Sequence, residues 1–354
     1  MRLSVISKCL VVLGAALLAA CSSASSSHLT SSPTPDAKAR YHLANKLTLG
    51  GEAGWDYLAL DPEARRLYVT HLTKVEVLDA DTLKSVGQIK DTPGVHGVAL
   101  VPRLNKAFTS NGKANTVSVI DLKTLEHVAE IKAGEKPDAI IYDPDAERVF
   151  VSNGESDDVT AIDATTGKVV GTIAVGGAPE YSAADGKGTL WVNLEDKNAF
   201  VTIDVKTLKL IKTTPLPGCE EPASMAFDKA NRRLFIGCKN HVLAVVDPDS
   251  GKVIKKLPIG EHVDATVFDA ANHLIFASTG DGIVTIIHQD APDAYTVVDN
   301  VKTMRGAKTM TFDPKTGKIF SATVENVPLN TTGPPNPKTV TYEPGPFVVL
   351  VVEK

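Results

Sequence analysis

Short apolar stretches separated by polar turns run through most of this chain, and within them large apolar residues recur with the two-residue period of a β-strand. The segment around Ala139 is the clearest. Ala139-Ile140-Ile141-Tyr142-Asp143 predicts a short strand, and Asp143-Pro144-Asp145-Ala146 predicts a tight turn whose proline presets φ at its first corner. Arg148 to Ser152 reads as a second strand, Asn153-Gly154 as a turn, and Asp158 to Asp163 as a third, alternating strand. Thr166-Gly167-Lys168 turns the chain again before a fourth strand from Val169 to Val175.

The same plan recurs along the chain. Taking the end of each repeat's first strand as a marker gives Asp61, Val101, Asp143, Asp185, Asp228, Asp269 and Asp313, at spacings of 40, 42, 42, 43, 41 and 44 residues. Four strands with their turns consume about 40 residues, so the period predicts the blades of a β-propeller. Seven markers predict seven blades. The last repeat ends on a third strand, Phe347 to Val352, with no fourth after it, whereas Tyr41 to Gly50 stands before the first repeat as an unpaired fourth-strand pattern. The N-terminal strand is therefore expected to complete the last blade, leaving fewer open strand edges. The fold class expected is all-β, one seven-bladed propeller over residues 39–354.

A second set of aspartates, Asp79, Asp121, Asp163, Asp204 and Asp247, closes the third strands, each followed three residues later by Thr82, Thr124, Thr166, Thr207 or Ser250. A carboxylate in this position accepts backbone N–H bonds in a turn. These acids are read as architecture.

The N-terminus is of another kind. Arg2 and Lys8 precede an apolar run, Leu10 to Ala20, too short to span a bilayer and arranged as an export signal over residues 1–20. Leu18-Ala19-Ala20-Cys21 resembles the bacterial lipobox, which implies a lipid on Cys21, and Ser22 after it implies the outer membrane. Residues 21–38, rich in Ser and Pro, read as a flexible tether. The expectation is an exported lipoprotein on the periplasmic side, monomeric and held at the membrane by its lipid. A formal charge of -5 and a pI near 6.0 leave no basic field, so nucleic acid is not an expected partner.

Leu67-Tyr68-Val69-Thr70, Phe150-Val151-Ser152-Asn153-Gly154 and Val117-Ser118-Val119-Ile120-Asp121 resemble the YVTN-repeat β-propeller family over about residues 41–354. The first repeat departs from it, with His71 where the motif usually has Asn. The resemblance implies a seven-bladed propeller in exported or surface proteins and implies no single chemistry.

Candidate chemistry lies where the repeats disagree. The position five residues before each marker falls at the channel mouth and is occupied by Asp56, His96, Asp138, Glu180, Ala223, Asp264 and Lys308. Trp55, Glu220, Glu221, Glu261, His262 and Arg305 flank them, and the loops after the second strands add His71, Asn153, Asn193, Glu195, Asn240, Asp281 and Glu325. Carboxylates aimed at one axis repel unless a cation or ligand intervenes. Ca²⁺ or Mg²⁺ suits Asp56, Asp138, Glu180 and Asp264, and the histidines, His96 foremost, also admit Zn²⁺. The alternative is a solvated rim in which Lys308 and Arg305 pair with Asp56.

Cys219 and Cys238 sit at the start of one strand and the end of its antiparallel neighbour, in an oxidising compartment, and are expected to form a disulfide. A proline-rich insertion, Glu325 to Pro346, interrupts the last repeat, and a loop from Gln289 to Asp293 lengthens the sixth. No haem-attachment motif is present, and Trp55 and Trp191 alone offer indole packing for a quinone cofactor. Two functions remain: a binding or scaffold module presenting its mouth to an envelope protein or polymer, or a metal-dependent hydrolase or lyase resembling lactonases.

Overall fold

A computed structural model of the chain describes residues 40–327 and 345–354. The expected lipid site at Cys21, the signal and tether before residue 40, and residues 328–344 of the insertion lie outside them. Seven four-stranded antiparallel sheets are formed, each from strands consecutive in sequence except the last. Their inner strands are Leu58–Asp61, Val95–Val101, Pro137–Asp143, Pro179–Ala184, Pro222–Asp228, Val263–Asp269 and Met310–Phe312, defining blades 1 to 7. The inner strands end at or one residue before the seven sequence markers. In blade 7 the outermost strand is His42–Thr48, paired antiparallel with Phe347–Glu353. The N-terminal strand thus closes the ring, and the fold is the expected seven-bladed β-propeller.

The core is repeated blade by blade. Tyr68, Phe108, Phe150, Trp191, Phe235, Phe276 and Phe320, one on each second strand, are fully buried. They pack with valines and isoleucines between neighbouring sheets, so each blade buries its faces against the next. Truncating one of these rings to Ala removes roughly 3–5 kcal/mol.

The third-strand aspartates do what their turns require. Asp163 accepts hydrogen bonds from the Thr166 N–H at 2.7 Å and its hydroxyl at 2.9 Å. Asp204 accepts from the backbone of Lys206 and Thr207 at 2.9 and 2.8 Å, and Asp79, Asp121 and Asp247 repeat the geometry. Blade 6 differs from expectation: the residues read as a long loop are strand, Ile283–Ala291 pairing with Ala294–Lys302. Gln289 accounts for this, since its side-chain amide is buried and donates to Asp228 at 2.9 Å, tying the extended hairpin to blade 5.

Cys219 and Cys238 are disulfide-bonded with Cα atoms 5.2 Å apart, joining the entry of blade 5 to the end of its second strand. The insertion in blade 7 leaves and rejoins the sheet as a closed neck, with Glu325 N–H bonded to the Pro346 carbonyl and Gly345 N–H to the Glu325 carbonyl.

Candidate functional site

In blades 2 to 6 the mouth residue owes its direction to a local defect in the ladder. The pairing of inner with second strand there skips one inner-strand residue in blades 2, 5 and 6 and two in blades 3 and 4. The pairing passes from Val95 to Gly97, from Pro137 to Ile140, from Pro179 to Ser182, from Pro222 to Ser224 and from Val263 to Ala265. His96, Asp138, Glu180, Ala223 and Asp264 therefore lie in β-bulges, which turn a side chain out of the regular up-down alternation. Two residues earlier the chain takes the left-handed conformation at Gly94, Lys136, Glu221 and His262. Non-glycine residues pay for that conformation in strain.

A belt of hydroxyls holds these bulges from behind. The Ser110 Oγ donates to the Asp138 carbonyl at 2.5 Å, Ser152 to the Glu180 carbonyl at 2.8 Å, and Ser278 to the Lys308 carbonyl at 2.5 Å. Thr309 donates to the Asp56 carbonyl at 2.8 Å, carrying the belt across the closure from blade 7 to blade 1. The recurrent Ser/Thr near the end of the second strand is legible in the sequence as strand composition only; in blades 2, 3 and 6 its work is to join the blade to the mouth of the next. Where blade 5 has Gly237, a Cβ would lie 2.3 Å from Ser224 Oγ, which instead meets Thr266 Oγ1 of blade 6 at 2.8 Å.

The acids are buried unevenly and partnered unevenly. Burial first, then the charges of Asp138 and Asp264, pushes the Glu180 carboxyl well above its ordinary value. The Tyr57 hydroxyl donates to it at 2.9 Å across 123 residues, from blade 1 to blade 4 on the far side of the channel. Asp264, also raised chiefly by burial, forms an ion pair with Lys308, whose ammonium is held above the usual lysine range by Asp264 and Asp56 despite its own burial. Lys308 thus bonds to Asp264 on blade 6 rather than to Asp56. Lys239 pairs with Glu195 above them.

On the other side of the mouth no lysine or arginine pairs with the acids among the described residues. His96 Nδ1 is 2.6 Å from Asp56 Oδ2 and 3.5 Å from Asp138 Oδ1. Burial and the Asp56 charge push Asp138 up to about 6. Burial alone would lower the His96 imidazole, but Asp56 and Asp138 raise it on balance. Gly112 makes room for the ring, since a Cβ there would lie 2.7 Å from His96 Nε2.

His71 lies apart from this group. It is buried, stacks on Phe347 at 4.1 Å, meets the Glu52 carbonyl through Nε2 at 2.8 Å and Glu76 through Nδ1 at 3.6 Å. Asn111 and Asn153 make the equivalent bridge to the third strand, reaching Ser118 and Thr160 at 2.8 Å each. His71 thus takes the place of the motif's Asn but not its hydrogen bond to the third strand, since its Nδ1 is left without a hydrogen-bond partner among the described residues. The other loop candidates are engaged locally: Asn193 with the Ser224 carbonyl, Asp281 with Thr279, Asn240 with the Glu220 N–H, and Glu325 with Lys46. Two residues were missed. Tyr57 and Tyr181, their rings 5.2 Å apart, meet in the channel below the mouth, where the position after the mouth residue is otherwise small or hydroxylic. That size contrast was the available signal.

Beside Asp56 and His96 the mouth opens into a cleft of about 460 Å³, lined among others by Trp55, Leu72, Lys113, Lys136 and Glu155.

With this geometry in view, residues 64–265 match the family described as "Domain of unknown function (DUF5074)", which is more than half of the 354-residue chain. The chain belongs to this family. No curated protein matches it. Among solved structures, it is similar to one described as Kuenenia stuttgartiensis hydrazine synthase, at 17% identity and a TM-score of 0.68, over 77% of this chain and 94% of that one. It is also similar to U3-55K, at 8% identity and a TM-score of 0.72, over 87% of this chain and 99% of that one. Likeness at these identities shows the propeller fold alone. For this member of the family, chemistry has to be read from side chains. Of the residues expected to ligate metal, Asp56, His96 and Asp138 bring one donor atom each within 4.8 Å of one another. Glu180 and Asp264 are not part of that group.

Proposed function

We propose that the protein is a lipid-anchored cell-envelope propeller, held through Cys21 on the periplasmic side of the outer membrane, that acts as a binding module through its channel mouth. The observation that carries this reading is the convergence of four carboxyls, one imidazole and one ammonium on one face, four of the six set there by bulges, above Tyr57 and Tyr181. Burying carboxyls in an apolar setting costs stability, and such cost is retained where a ligand recovers it. The tyrosine floor makes the mouth a cup, and the cleft beside Trp55 extends it sideways.

The reading is tested by thermal-shift screening of the mature chain against panels of metabolites, glycans and short peptides. Compounds that raise Tm for the native chain and lose that effect in Trp55→Ala or Glu180→Gln support it. If every active compound acts equally on the native chain and both variants, the mouth is not the binding site. The grouping of Asp56, His96 and Asp138 favours a second reading, a metal-dependent hydrolase or lyase using the same mouth.

A further inference from the structure

Asp138 carries an unmet need. Its side chain is 10% exposed, so its oxygens still meet the open mouth, and among the described residues the one ion-pair contact of its carboxylate is His96 Nδ1 at 3.5 Å. That nitrogen carries at most one proton, and Asp56 at 2.6 Å is the better placed to accept it. A buried carboxylate without a donor is costly, and hydrogen-bonded or ion-paired satisfaction is the rule. Elsewhere in the mouth Glu180 has Tyr57 and Asp264 has Lys308. The acid without a donor of its own is the one that shares a 4.8 Å cluster with an imidazole and a second carboxylate, and those two partners, His96 and Asp56, line the open cleft.

We infer that Asp56, His96 and Asp138 form a three-ligand site for a divalent transition-metal cation, open toward the cleft, and that Lys113 and Lys136 there receive the anionic group of a ligand bound to that metal. One imidazole nitrogen and two carboxylate oxygens suit Zn²⁺ or Mn²⁺; Ca²⁺ demands six to eight oxygens. Three protein ligands leave coordination positions free, as in sites that take up a ligand rather than closed structural sites. Lys113 and Lys136 line the cleft, and neither forms an ion pair within 4 Å among the described residues. The ligand class is a small carboxylate or phosphate compound with an apolar part for Trp55 and Leu72. This deepens the mouth-binding reading and rests on it.

The test uses Co²⁺ as a spectroscopic substitute and Zn²⁺ in equilibrium dialysis with elemental analysis, on the mature chain. One equivalent of Zn²⁺ per chain is expected, with affinity reduced on the order of 100-fold in His96→Ala and Asp138→Asn. Asp138→Asn removes a buried charge and so retains the fold, and circular dichroism checks this. Asp163→Asn, at a third-strand turn at the opposite end of the blade, keeps the full equivalent. Acetate added to the Co²⁺ form is expected to shift its visible bands, and Lys113→Ala with Lys136→Ala to raise the acetate needed about tenfold at unchanged Co²⁺ affinity. Absence of stoichiometric metal, or equal loss in Asp163→Asn, overturns the site. Bands insensitive to acetate, or to the lysines, overturn the anion half. The thermal-shift screen in chelator judges mouth binding separately: ligands that act there without metal leave that reading standing while this one falls.

Discussion

Two sets of acidic residues stand at opposite ends of the same blades and answer to opposite rules. At the third-strand turns, Asp79, Asp121, Asp163 and Asp204 are held below the ordinary carboxylate range by hydrogen bonds from the threonine three residues on, and Asp247 by Ser250 in spite of its burial. At the mouth, Asp138, Glu180 and Asp264 are pushed up, in each case first by burial. Turn acids stabilise the fold as anions, whereas mouth acids weaken it as anions. The difference teaches that one residue type, repeated at one period, is architecture where the backbone supplies donors. It becomes available for function where the backbone does not.

The largest expected effect comes from taking away a partner. Lys308→Met leaves Asp264 buried and unpaired, and removing one member of such a pair costs about 3 kcal/mol. Chemical denaturation at neutral pH should show this loss, and the loss should shrink in acid as Asp264 protonates. An unchanged midpoint at neutral pH would mean that Asp264 is already satisfied otherwise. Next comes Ser110→Ala, which strips the Gly97 N–H of its acceptor and the Asp138 carbonyl of its donor. A destabilisation of roughly 2 kcal/mol is expected, accompanied by weaker ligand or metal capture, because Ser110 holds the Asp138 backbone in place without bonding its carboxylate. Normal capture would show that the bulge of blade 3 holds without the belt.

Smaller effects set the two acid classes directly against each other. Glu180 has its folded value raised, so its contribution to stability is greatest in acid and is lost as pH rises through that value. Glu180→Gln should therefore be more stable than the native chain at pH 8, by on the order of 1 kcal/mol, with the gap closing toward pH 4. Asp163 has its folded value lowered, so its stabilisation is present at neutral pH and disappears as pH falls through that value. Asp163→Ala should be less stable at pH 7 by roughly 1 kcal/mol, the gap closing in strong acid. Urea titrations of both variants across pH 3 to 8 provide the measurement. Gaps of the same sign would abolish the distinction between turn and mouth.

Much of the site was legible. The offset of five residues before each marker picks out one residue in each of the five bulges, because a repeat aligns equivalent positions whatever their side chains. His71 is placed with them by its loop position in the sequence, yet it lies apart from the mouth, stacked on Phe347 and bonded to the Glu52 carbonyl. The pairing of Lys308 was misassigned to Asp56 because proximity around a ring depends on side-chain reach, which spacing does not carry. In blade 6, Gln289 turned an apparent loop into strand through a contact with Asp228, 61 residues away.

By itself the sequence determined the number of blades, the turn aspartates and the closing strand, since these depend on local chain conformation and a two-residue period repeated at near-constant spacing. Tertiary structure alone decided that Tyr57 reaches Glu180 across the channel, that Lys308 serves Asp264, and that Asp138 is left with a single imidazole it must share. Burial and charge at the axis sum over seven blades far apart in the chain, and no local pattern records that sum.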